Sequence, residues 1–227
     1  MFKIPNDPPR IWLFDYDLTL YGEEERAVLN SLDRRIALFV QNTVGVSWEE
    51  SQKIRKEFWL KYGTTLAGLQ ACYGTKPDDF FDFIHDPSTL VYPAFAPKKR
   101  ELLLSLKGRR FVFTNGRSDW SRTGCEKMGI LDCFEKIIGL QELNWIGKPS
   151  DSSYGKMEEI LENAGCIVPG YDPSLIVLLE DSLKNLEGAH RRGWTCVWVN
   201  PVSEERADFV DARIKHLLDL PSILATV

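Results

Sequence analysis

Histidine is scarce in this chain, and what there is does not cluster. His85, His190 and His216 are the whole supply, and they share no metal-ligand spacing. They read as surface or hydrogen-bonded side chains. The cysteines number five (Cys72, Cys125, Cys133, Cys166 and Cys196), an odd count with no CxxC pair. That fits reduced thiols in a cytosolic chain better than a disulfide or zinc framework. No 18-residue apolar run exists, so no transmembrane helix is expected. The opening MFKIPNDPPR lacks an apolar h-region, so a signal peptide is not expected and the expected location is cytoplasmic. Basic residues are outnumbered 28 to 33, for a net charge of -5, which argues against a nucleic-acid polymer or a membrane as partner. A small anionic substrate is still allowed, because a local site can be positive on an acidic protein. There is no internal repeat and no low-complexity segment.

What is present begins with Trp12-Leu13-Phe14-Asp15-Tyr16-Asp17-Leu18-Thr19-Leu20-Tyr21. The apolar run from Ile11 to Phe14 reads as a buried strand. Asp15 and Asp17 follow it two apart, so on an extended chain they project from one side. Like charges at that spacing repel unless a cation or a proton holds them.

Four further apolar runs resemble the first: 110–114, 136–139, 175–179 and 195–199. Short runs without alternation suggest strands covered on both faces, as in a parallel sheet. Helical patterns lie between them. One spans Pro97 to Leu106 and stops at Gly108, a C-cap glycine by position. Others span 118–128, 153–164 and 183–192, ending at Gly129, Gly165 and Gly193. Strands alternating with helices predict an α/β fold, a doubly wound parallel sheet.

Residues 21–92 break the alternation. Val28, Leu32, Ile36, Phe39 and Val40 fall at helical spacing. Ser47-Trp48-Glu49-Glu50 fits a capping box opening a second helix, with Ile54, Phe58 and Tyr62 on one face. Gly63 and Gly74 are helix stops, and Lys76-Pro77-Asp78 opens a helix that runs through Ile84. The expected organisation is therefore an α/β core of residues 1–20 and 93–227, interrupted by a helical domain at 21–92. At 227 residues the chain is long enough for both.

In an open α/β sheet, ligands bind beyond the carboxyl ends of the strands. There the sequence places Asp15, Asp17 and Thr19, then Thr114, Asn115 and Gly116, then Gly147-Lys148-Pro149, then Glu180, Asp181 and Ser182. Carboxylates from two strand ends suit a hard cation such as Mg2+. A hydroxyl, backbone amides and a lysine suit a phosphoryl group.

Asp15-x-Asp17-x-Thr19-Leu20, Thr114-Asn115-Gly116, Lys148-Pro149 and Glu180-Asp181-Ser182-x-x-Asn185 resemble, in order, the motifs of the haloacid dehalogenase (HAD) superfamily. The resemblance covers nearly the whole chain, and the helical insertion is similar to that superfamily's C1-type cap on a Rossmann-like core. More narrowly, the stretch Phe14 to Tyr21 and the stretch Lys61 to Leu69 resemble the pyrimidine 5'-nucleotidase branch.

The resemblance implies a Mg2+-dependent phosphomonoester hydrolase. Asp15 would be the nucleophile that forms an aspartyl-phosphate. Asp17 would be the general acid for the leaving alcohol and then the base for water. Thr114 and the amide of Asn115 would hold phosphoryl oxygens, and Lys148 would neutralise charge. Asp15, the main-chain carbonyl of Asp17, Asp181 and Glu180, the last directly or through water, would hold the metal. Asn185 would orient the loop. Thr19 and Asn115 count among the substrate-side residues. Tyr21 and Tyr62 are the aromatic substrate-binding candidates, beside Phe58, Trp59 and Tyr73, although aromatics on helices are more often core.

Dehalogenases of the superfamily lack an acid at the position of Asp17, because halide leaves without a proton. Its presence favours phosphoryl transfer. Sugar-phosphate or phosphoglycolate phosphatase and phosphomutase remain alternatives, as does a binding scaffold that has lost activity. The expected partner is a small phosphorylated metabolite, with the chain a monomer or homodimer.

Overall fold

A computed structural model describes residues 3–5, 7–8, 10–200 and 207–225. The remaining positions of the expected core span lie outside the described residues. The chain divides into two compact units, Met1–Glu24 with Pro93–Val227, and Glu25–Tyr92. Residues 21–24 thus group with the discontinuous unit.

That unit is an α/β fold. β1 (Arg10–Phe14) pairs in parallel with β2 (Gly108–Phe113) on one side and β4 (Ile176–Glu180) on the other. β3 (Lys136–Ile138) extends the sheet beyond β2, and β5 (Thr195–Val199) and β6 (Ala212–Ile214) extend it beyond β4. All six strands are parallel, in the order β3-β2-β1-β4-β5-β6. Every residue of β1, β4 and β5 is buried, so both faces of the sheet centre are covered. Chain order reverses between β1 and β4, where such sheets bind ligands.

The helices of this unit start and stop where local chemistry allows. Helix 118–128 ends on Gly129, whose φ of 73° closes the last turn. Helix 151–163 begins two residues before its expected start, and helix 183–191 ends just ahead of Gly193. Helix 97–105 differs from expectation at its end. Its cap is Leu106, and Gly108 instead opens β2. A Cβ on Gly108 would lie 1.9 Å from the Arg10 carbonyl oxygen, and its φ is 111°. The glycine is required by the close approach of β1, not by the helix. β6 was not expected at all, since Ala-Arg-Ile is too short and mixed to register as an apolar run.

The second unit is helical throughout, with α1 (Arg26–Val44), α2 (Trp48–Tyr62), α3 (Thr65–Tyr73) and α4 (Pro77–Ile84). Val28, Leu32 and Val40 of α1 are buried, while Ile36 and Phe39 are half-buried. Ser47 caps α2 by accepting from the Glu50 amide, and the Glu50 carboxylate pairs with Lys53. Thr64 caps α3 by accepting from the Ala67 amide. α1 packs on α2 and α4, and Phe39 meets Phe80 and Phe83 edge-on at 5.1 and 5.4 Å. No helix among the described residues is long and apolar enough to cross a membrane.

Candidate active site

Three adjacent strands end together. Asp15 leaves β1 with its amide bonded to the Leu179 carbonyl at 2.9 Å, and Thr114 leaves β2 with its amide on Ile138. Glu180 is the last residue of β4. Beyond Asp15 the chain doubles back, the amides of Thr19 and Leu20 both reaching the Tyr16 carbonyl. Leu18 takes the left-handed conformation that this turn demands, with φ 57°. For a residue with a side chain that costs about 1–2 kcal/mol. Leu18 also walls a cavity of about 370 Å³ that opens beside Thr19 and Asp181, with Val199, Leu217 and Leu218.

Lys148 arrives from the loop before helix 151–163 and is 1% exposed. Its ammonium donates to Asp15 Oδ1 at 3.0 Å, to Glu180 Oε2 at 2.6 Å and to the Phe113 carbonyl at 2.6 Å. Each of its hydrogens therefore has an acceptor. Asn115 anchors the lysine by its backbone: Oδ1 accepts from the Lys148 amide and Nδ2 donates to the Lys148 carbonyl, both at 2.8 Å. A Cβ on Gly147 would lie 2.5 Å from Asn115 Oδ1, so that clamp requires glycine before the lysine. Glu180 is held in turn. Its Oε1 accepts from Asn185 Nδ2 at 3.0 Å and from the Ser182 amide at 3.3 Å.

Asp181 closes the cluster. One carboxylate oxygen from each of Asp15, Glu180 and Asp181 lies within 4.8 Å of the others. Lys148 can balance one of these three charges. Burial pushes the Asp15 carboxyl up to about 8, helped by Glu180 and opposed by Lys148. Burial, then Glu180 and Asp15, also hold Asp181 well above the usual carboxylate range. Burial works against the Lys148 charge, but Asp15 and Glu180 outweigh it and raise its pKa. An all-oxygen set with surplus negative charge is what a hard divalent cation neutralises, so the residues present fit such an ion.

The remaining candidates sort by what they touch. The Thr114 hydroxyl accepts from the Gly116 amide at 3.0 Å, which leaves its own hydrogen to donate. The Thr19 hydroxyl is buried without a hydrogen-bond partner among the described residues, and the turn is closed by main-chain bonds instead. Asp17 accepts a hydrogen bond from the Tyr21 hydroxyl. Tyr21 is fully buried, so it touches Asp17 and not open space. Tyr62 belongs to the helical unit, where its hydroxyl lies 3.5 Å from Cys72 Sγ and its ring meets Phe58 edge-on. Two participants escaped sequence reasoning. The Phe113 carbonyl holds Lys148, and Trp198 Nε1 donates to the Asp181 carbonyl at 2.8 Å. A backbone carbonyl carries no sequence signal, and Trp198 reads only as part of an apolar strand.

No family model matches the sequence. The fold is shared with solved structures. An HAD phosphatase from Thermococcus onnurineus is 22% identical, over 94% of this chain and 97% of that one, with a TM-score of 0.60. The candidate HAD-hydrolase YfnB from Bacillus subtilis, bound to magnesium, is 16% identical over 96% and 99%, with a TM-score of 0.61. The L-2-haloacid dehalogenase from Xanthobacter autotrophicus is 18% identical over 94% and 97%, with a TM-score of 0.58. At these identities the likeness is one of fold.

Proposed function

We propose that this chain, which has the fold of the HAD hydrolases, is a divalent-cation-dependent phosphomonoester hydrolase working through an aspartyl-phosphate. The observation that carries the reading is the cluster of buried Asp15 and Glu180, both bonded to one fully coordinated lysine, with half-buried Asp181 beside them. Such a cluster is costly as a structural device, because the carboxylates outnumber the cation. It is useful where an anionic substrate and a metal meet. The magnesium bound to YfnB supports Mg2+ as the cation.

Asp15 attacks phosphorus, and the bond to the leaving oxygen breaks as the Asp15–phosphorus bond forms. Asp17 gives its proton to that oxygen. Water then attacks the aspartyl-phosphate while Asp17 takes a proton from it, the acyl phosphate bond breaks, and inorganic phosphate leaves. Thr114 and the Asn115 amide hold the phosphoryl oxygens. Lys148 keeps the Asp15 carboxylate in line and tempers its charge. A cation bound by Asp15, Asp181, the Asp17 carbonyl and Glu180 would screen the two anions from each other.

Asp17 favours phosphate esters over the haloacids of the dehalogenase neighbours, since halide needs no proton. Pyrimidine nucleoside 5'-monophosphates are the first substrate class, on the resemblance of residues 14–21 and 61–69. The second segment is also a helix junction. Gly63 ends α2, Thr64 caps α3, and Gly68 fits against Phe58, where a Cβ would lie 2.3 Å away.

Phosphate release from a panel of nucleotides and sugar phosphates, with Mg2+ and with EDTA, tests both levels. Turnover highest on UMP and CMP, lost with EDTA and in Asp15→Asn, is the expected result. Turnover on sugar phosphates alone keeps the chemistry and discards the pyrimidine assignment. No turnover on any ester discards the phosphatase reading.

A further inference from the structure

Tyr21 closes the first motif, and its surroundings are unusually fixed. Its ring is fully buried and meets Tyr16 edge-on, with centroids 5.3 Å apart at 73°. Tyr16 is pinned from behind. Its ring meets Trp120 at 6.2 Å and 87°, and a Cβ on Gly124 would lie 1.5 Å from its hydroxyl oxygen. The Tyr21 phenol therefore has little freedom to turn. A buried phenol needs a hydrogen-bond partner, and a main-chain carbonyl would serve. This one donates instead to Asp17 Oδ1.

Asp17 stands on a turn at the strand end and is half-buried. Its other oxygen has a readable position. A Cβ built on Gly116 would lie 4.0 Å from Asp17 Oδ2 and 3.4 Å from Thr114 Oγ1. Oδ2 thus faces the end of β2, where Thr114 and Asn115 stand, while Oδ1 is turned back toward Tyr21.

We infer that Tyr21 is the positioning residue for Asp17, holding the carboxyl group by Oδ1 so that Oδ2 is the oxygen that exchanges a proton with the leaving group. The inference rests on the phosphatase reading. It replaces a substrate contact for Tyr21 with a role exerted through Asp17. A purely packing role would be served by the ring alone, so removing only the hydroxyl separates the two.

The readout is dependence on the leaving group. An alkyl phosphate needs a proton at the departing oxygen. p-Nitrophenyl phosphate does not, because its phenolate leaves unaided. kcat/KM reports only steps through the first irreversible one, so the later hydrolysis of the aspartyl-phosphate does not blur the comparison. The measured quantity is the ratio of kcat/KM for the faster of UMP and β-glycerophosphate to that for p-nitrophenyl phosphate. In Asp17→Asn this ratio is expected to fall by about 10²–10⁴-fold, the usual contribution of a general acid. In Tyr21→Phe it is expected to fall by roughly tenfold or more, with Asp17 turned away from its present position in the crystal structure of the variant.

A Tyr21→Phe enzyme that slows on both esters equally, with Asp17 unmoved, overturns the inference and leaves the phosphatase reading standing, provided Asp17→Asn collapses the ratio. If Asp17→Asn leaves the ratio unchanged, the acid is misassigned, and the inference falls with the role given to Asp17, while turnover of the esters still supports phosphate-ester hydrolysis. Should Tyr21→Phe fail to fold, a 4-fluorophenylalanine at position 21 keeps the size and packing of the side chain while removing the donor. An unchanged ratio there counts against the inference equally.

Discussion

Replacing Lys148 by methionine keeps most of the length and volume of the side chain and deletes its charge. The ammonium is buried and gives its hydrogens to Asp15, Glu180 and the Phe113 carbonyl. Removing one partner of a buried charge cluster costs about 3–5 kcal/mol. In a chain of this size each kcal/mol moves Tm by roughly 2–4 °C, so a fall of about 6–20 °C is expected. The cost has two ways to shrink, and both can be measured. The first is protonation. The Asp15 carboxyl is already pushed up to about 8, so folding favours its neutral form. A group raised in this way supports the fold at low pH and withdraws that support as pH climbs through its folded value. The loss in Lys148→Met is therefore expected to be smaller at pH 5.5 than at pH 8.5. The second is removal of the stranded partner. Lys148→Met with Glu180→Gln should be more stable than the sum of the single changes by about 0.5–3 kcal/mol, the usual coupling of contacting groups. Thermal and urea unfolding in EDTA at the two pH values, on the two single variants and the double, gives all of these numbers. A Lys148→Met variant as stable as the parent at pH 8.5, or strict additivity in the double, would refute the account of the cluster.

Three further outcomes are expected. In EDTA, Tm should fall as pH rises from 6 to 9, because Asp15 and Asp181 must ionise against burial, and saturating Mg2+ should abolish that fall. An identical pH profile with and without Mg2+ would remove the cation site. Gly124→Ala places a methyl group 1.5 Å from the Tyr16 hydroxyl oxygen and 2.6 Å from its ring, so a urea-unfolding loss of about 3 kcal/mol is expected, and a loss near zero would mean that Tyr16 is free to move. Thiol alkylation of the native protein at pH 8 should label exposed Cys72 first and spare Cys125 and Cys196, whose thiols burial pushes up to about 12. Peptide mapping that finds Cys125 modified early would contradict the packing of helix 118–128.

Legibility in the sequence followed the range of the interactions. β1, β4 and β5 were plain as apolar runs, because each is covered on both faces and every residue is buried. β6 was not, because Arg213 interrupts it and only its ends are buried. Gly129 was correctly read as a helix stop, since a left-handed cap is a local demand. Gly108 looked the same and is not. Its need for glycine comes from Arg10, nearly a hundred positions earlier, which no local pattern contains. The same limit applies to Asn115. It reads as a phosphate-side residue, yet its side chain is committed to both ends of the Lys148 backbone. Tyr21 could be singled out by its place beside Asp17, but the direction of its hydroxyl was not legible.

The sequence by itself determined which chemistry-bearing residues stand at which strand ends. Periodic burial and the motif spacings are properties of neighbouring positions, and they are sufficient to place Asp15, Thr114, Lys148 and Asp181 beyond the sheet. Only the tertiary structure decided their pairing. Lys148 reaches Asp15 across 133 positions and Glu180 across 32, and it does so because β1, β2 and β4 close side by side in one register. Contacts of that kind depend on where the chain returns to itself, which is a property of the packed sheet and not of any stretch of residues within it.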